Sequence, residues 1–96
     1  MKSEALPGEE WIDAGLKDLH QGAESAAALL VSIGAPRLQR AGVAVPQPLS
    51  DPERRLYDLL AQEDPDSAHG RYNALIRRLV SYERALECAN PSTQSA

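Results

Sequence analysis

The sequence contains no phenylalanine, and its aromatic side chains are limited to Trp11, Tyr57, Tyr72 and Tyr82. A core must therefore be built from Leu, Ile, Val and Ala. Such residues suit closely packed helices better than sheets, where β-branched and aromatic residues are enriched. There is one cysteine, Cys88. That excludes an internal disulfide framework and any multi-cysteine metal site, and an unpaired thiol fits a reducing cytoplasm. There is no excess of positive charge: the formal net charge is -4, so the chain as a whole does not read as a nucleic-acid binder. A local basic face stays open. There is no long hydrophobic run either. The longest, Ala26 to Val31, is far too short to span a bilayer. The start MKSEALPGEEW has no apolar segment of the signal-peptide kind. The expected setting is cytoplasmic.

What is present is helical periodicity on a chain of 96 residues, the size of one domain with a thin core. Ile12, Leu16, Leu19, Ala23, Ala26, Leu30 and Ile33 alternate in steps of four and three, a heptad-like seam. The acidic Glu9 and Glu10 suit a helix start, and Gly34 followed by Pro36 suits a helix end. The spacing predicts a helix over about 9–33. Gly15 and Gly22 weaken it by about 1 kcal/mol each relative to Ala, unless they permit close backbone approach. Pro36 to Ala41 is expected to form a short helical turn before Gly42. Residues 43–50, rich in proline, read as an extended connector whose Val43, Val45 and Leu49 lie against the helices. Ser50-Asp51-Pro52-Glu53 opens a helix over about 51–62, either as a capping box or with Asp51 capping and Pro52 at the first helical position. Its apolar face is Leu56, Leu59 and Leu60. Asp64 to Ser67 starts a last helix over about 67–89, in which Ala68, Tyr72, Leu75, Leu79, Tyr82, Leu86 and Ala89 repeat the 4-3 seam. Residues 1–8 read as a flexible lead, 9–89 as a single domain and 90–96 as a frayed tail.

The expected fold is an all-α bundle of two long antiparallel helices with a shorter middle helix. Two wide apolar stripes on so few helices suggest that a second copy completes the core. Trp11, Ile12, Leu16, Leu19, Tyr72, Leu79 and Tyr82 are the candidate interface residues, with Trp11 serving either as an anchor or as a cover for the end of the bundle. The first helix is acidic and the last is basic, which favours their pairing, although each exposed pair contributes only about 0.2–1 kcal/mol.

The most polar concentration lies on the last helix. His69, Asn73, Arg77 and Ser81 step by four along one face, Arg84 continues it, and Arg71 and Arg78 share a neighbouring face. His69, Arg71, Asn73, Arg77, Arg78 and Arg84 form a candidate anion or nucleic-acid site. The competing reading is an ordinary solvated helix face. His20, Glu24 and His69 are too scattered for the spacing a zinc site needs, so no metal and no cofactor is expected. Cys88, near a helix C-terminus where the dipole disfavours a thiolate, reads as a half-buried packing residue. No nucleophile elbow, P-loop or dinucleotide fingerprint is present.

Glu10-Trp11-Ile12 through Gly15-Leu16-Lys17-Asp18-Leu19 resembles the first helix of HEPN-type four-helix bundles, the partners of minimal nucleotidyltransferases. Several of those are RNases that carry an Arg and then a His, four to six residues apart, on a late helix. Here His69 precedes Arg71 and no such pair exists, so RNase activity is not implied. The resemblance covers one stretch of amphipathic helix. The expected function is therefore a helical protein-interaction module or assembly subunit without catalytic activity, working by self-association or with a partner protein. The alternative is an accessory domain binding nucleic acid or nucleotide through the basic face of the last helix.

Overall fold

The computed structural model describes residues 6–89, and these form four helices and no strand. They are α1 (Glu9–His20), α2 (Ala26–Arg40), α3 (Pro52–Glu63) and α4 (Ala68–Ala89). Of the expected lead only Leu6 to Gly8 is described, and the expected tail at 90–96 lies outside the described residues.

The single helix expected over 9–33 is two helices. Gly22 interrupts it with φ +77°. Its N–H donates to the Leu19 carbonyl at 3.0 Å, and the Ala23 N–H donates to the Asp18 carbonyl at 2.7 Å. This pair of bonds is a Schellman turn, which needs a left-handed residue that glycine supplies without a Cβ clash. Ser25 then caps α2. Its Oγ accepts from the Ala28 N–H at 3.1 Å and donates to Asp18 at 2.6 Å. A cap of this kind contributes about 1 kcal/mol, and here it also ties the start of α2 to the end of α1. Ala23, counted in the seam, is exposed.

Gly34 does not end a helix. α2 runs past it and through Pro36, and stops in a second Schellman turn at Gly42 (φ +99°). There the Gly42 N–H donates to Gln39 at 3.1 Å and the Val43 N–H to Leu38 at 2.9 Å. A proline inside a helix costs about 3 kcal/mol. α2 outweighs that cost by packing, because Ala27 to Ser32, Gly34, Ala35 and Leu38 are all buried. Gly34 is instead where α4 comes close: a Cβ there would sit 2.7 Å from Glu83 Oε2 and 2.8 Å from a Leu79 methyl.

α2 is the hub, packed on α1, α3 and α4. The expected pairing of first and last long helices gives way to this arrangement, in which α1 packs chiefly on α2. Ile12 and Leu19 from α1, Leu29, Leu30, Val31 and Leu38 from α2, Leu56 and Leu60 from α3, and Leu75, Leu79 and Tyr82 from α4 form one core. The connector lies against it, with Val45 buried and Val43 and Leu49 half-buried. The Leu49 N–H donates to the buried Ser32 Oγ at 2.9 Å, and Ser32 in turn donates to the Ala28 carbonyl at 2.8 Å. α3 starts with Pro52 at its first position, after Asp51 in a left-handed conformation (φ 50°). The capping box of Ser50 and Glu53 is not formed, since no side chain caps this helix. Ser50 gives its carbonyl to Arg55 at 3.0 Å instead.

Candidate functional site

The charges of α4 are sorted by a residue on another helix. Arg37, near the end of α2, grips Glu87 with two donors, Nε to Oε2 at 2.6 Å and Nη2 to Oε1 at 2.9 Å. Its third nitrogen lies 3.3 Å from Glu83 Oε1. This is the bidentate fork for which arginine is suited. The bond to Arg37 holds the Glu87 carboxyl below its ordinary range and raises the guanidinium in turn. Glu83 differs because its side chain is only 6% exposed. Burial pushes its carboxyl up, Arg37 draws it partly back, and the charge of Glu87 adds to the rise.

These two shifts act on stability in opposite directions. Glu83 keeps its proton to higher pH when folded than when unfolded, so stability falls as pH climbs from the ordinary carboxylate value towards the raised one. The contribution of Glu87 is present above the ordinary carboxylate value and is lost as pH falls through its lowered one. Glu83→Gln, neutral throughout, is expected to gain on the wild type as pH rises from about 4 to about 7. Urea titrations of both proteins across that range check this, and a difference that stays flat with pH contradicts the raised carboxyl.

Glu83 and Glu87 are the only acidic residues of α4, and both are turned to Arg37. The outward side of the helix is left with cations and neutral polar groups. His69, Asn73, Arg77, Arg78, Ser81 and Arg84 are all exposed. Asn73 Nδ2 lies 3.2 Å from His69 Nε2. Arg71 pairs with Glu63 of α3 at 3.1 Å. Among the described residues Arg77, Arg78 and Arg84 make no ion pair, although Arg84 adds a longer-range pull on Glu87. Glu9 and Asp13 lie near the Tyr82 hydroxyl, which burial and then their charges raise. His69, Asn73, Arg77 and Arg84 therefore share the outward side of α4, while Arg71 and Arg78 lie on a neighbouring face and Arg71 is already engaged.

Two members of this region carry no local signal in the sequence. Arg37 reads as part of a short turn, and nothing local marks it as the partner of residues about fifty positions away. Tyr57 of α3 stands against α4 with its ring 6.4 Å from His69 and 5.6 Å from Tyr72.

The candidate interface residues separate by burial. Ile12, Leu19, Leu79 and Tyr82 are in the core, at 0–7% exposure. Trp11, Leu16 and Tyr72 are half-buried and pack against it. Cys88 is exposed, which corrects the half-buried reading: its position falls on the outward side of α4, away from Leu79 and Tyr82. His20 closes α1, whereas Glu24 lies in the following turn and pairs with Arg55. Among the described residues no group of three potential metal ligands gathers, and no helix is long and apolar enough to cross a membrane.

One open groove of about 470 Å³ lies between the end of α1 and the connector. Leu16, Val45 and Pro46 line it with Lys17, His20 and Gln21. No protein-family model, curated protein or solved structure matches the chain.

Proposed function

We propose that the chain is a small cytoplasmic interaction module with no catalytic chemistry of its own, and that an anionic partner docks on the outward side of α4. The observation that supports this is the segregation of charge. On a chain of net charge -4, Arg37 takes both carboxylates of α4, and the exposed side keeps Arg77, Arg78 and Arg84 without an opposing acid on the same helix. Partly screened charges of one sign steer an oppositely charged partner within about 10 Å at 0.1 M salt.

A second copy of the chain is the weaker candidate for the partner. The stripes that suggested one are covered by α2 within a single chain, and Tyr57 is the one large hydrophobic residue described as exposed.

The test is retention on a sulfonated cation-exchange resin at neutral pH and low salt. Net charge alone predicts passage through the column. The segregated face predicts retention, released by salt and abolished in the Arg77→Ala/Arg84→Ala double variant at unchanged helicity. A wild type that is not retained overturns the proposal. Self-association at micromolar concentration that ignores the arginine substitutions replaces it with the dimer.

A further inference from the structure

We infer that the anionic partner is a single-stranded nucleic acid and that Tyr57 supplies a ring on which one of its bases stacks. This rests on the contact face proposed above. The added observation is aromatic. Tyr57 is 37% exposed and is the one large hydrophobic among the described residues that counts as exposed, whereas Trp11 and Tyr72 are half-buried. Its ring is braced by His69 at an interplanar angle of 61° and by Tyr72 at 58°. The brace holds it at the head of the α4 strip. His69 leads to Asn73 through their 3.2 Å contact, and Arg77 and Arg84 follow four and eleven positions further on. At about 1.5 Å of rise per residue, His69 to Arg84 covers about 22 Å along the helix.

A ring followed by a line of guanidinium groups matches how unpaired strands are held. Bases stack on aromatic faces while cations track the phosphates. A duplex offers its base edges and not its base faces, so Tyr57 has nothing to stack on there. An acidic protein surface would use the arginines and leave the ring idle. Glu53, whose charge reaches Tyr72, and Asp58 lie on α3, so the strand is expected to run along the α4 side of the ring.

Fluorescence anisotropy with a labelled single-stranded oligonucleotide of about eight nucleotides, within the usual site size, provides the test. The expected result is binding that weakens as salt rises. Tyr57→Ala should weaken it by roughly 5-fold to 100-fold, and Tyr57→Phe should restore it. Arg77→Ala/Arg84→Ala should reduce both the affinity and the salt slope. A matched duplex should bind more weakly and be indifferent to Tyr57→Ala. Circular dichroism of each variant confirms that the helices persist.

Retention on the resin without oligonucleotide binding leaves the module proposal standing and overturns the nucleic-acid assignment. Tighter binding of a polyglutamate peptide than of the oligonucleotide does the same, and identifies an acidic protein as the partner. Equal binding by wild type and Tyr57→Ala overturns the stacking role. Neither retention nor oligonucleotide binding overturns both proposals.

Discussion

Leu30→Ala is expected to lower the unfolding free energy by about 3–5 kcal/mol. Leu30 has 0% exposure and lies in the first half of α2, the helix that touches the three others. Truncation removes the transfer free energy of the lost methyl and methylene groups. It also leaves a cavity that the surrounding core closes only in part. A domain of this size sits towards the lower end of the usual range of about 5–15 kcal/mol. The variant should therefore be largely unfolded at a denaturant concentration the wild type tolerates. Urea titration followed by far-ultraviolet circular dichroism reads this as a fall in midpoint with the slope preserved. A loss under about 1 kcal/mol would mean that the site relaxes as a half-buried position does, against the central placement of α2.

The next largest effect is expected at Gly15. In an exposed helix, Gly→Ala is favourable by about 1 kcal/mol. At Gly15 a Cβ would drive into the Ala27 carbonyl and a Val31 methyl, both well inside contact distance. One obstacle is backbone, so no rotamer change relieves it, and α1 must move away from α2. Overpacking of this kind costs about 1–3 kcal/mol or more, and the sign of the propensity effect is reversed. Gly70 supplies the control. It is also helical, yet a Cβ there meets nothing within 4 Å, so Gly70→Ala should be neutral or stabilising by up to about 1 kcal/mol. Thermal melts of the two variants should move in opposite directions. A Gly15→Ala protein at least as stable as the wild type would contradict the close approach of these two helices.

The glycines show which parts of the fold are legible in the sequence. Gly15 was readable as a point of close approach, and Gly42 as the stop after a helix. Gly22 and Gly34 exchange roles relative to expectation: the first is the turn and the second is the close approach. Periodicity could not separate them, because the 4-3 count passes over residues 21–25 without a gap and says nothing about φ. The local signal for the break was there in Ser25, a good cap placed before an apolar run, but the longer seam outweighed it. Pro36 misled in the other direction. Its cost is local and visible, whereas the burial of α2 that offsets it depends on three partners distant in sequence. The helix at 67–89 was legible almost to the residue, since its start signal and its stripe agree. Its outward cations were legible from spacing alone. The removal of its two acids by Arg37 was not, because that contact spans about fifty residues, and neither was the position of Tyr57 against His69.

The central place of α2 also sets how the domain comes apart. α1 packs chiefly on α2 and is joined to it by the turn at residues 21–25, so it can detach while α2, α3 and α4 keep their mutual contacts. α2 has no such freedom, because displacing it strips a neighbour from each of the others. Opening should therefore occur in two tiers, with the amides of α1 exchanging through a cheaper local event and those of α2 only through global unfolding. The candidate contact face lies on α4, within the more protected tier, and stays assembled when α1 opens.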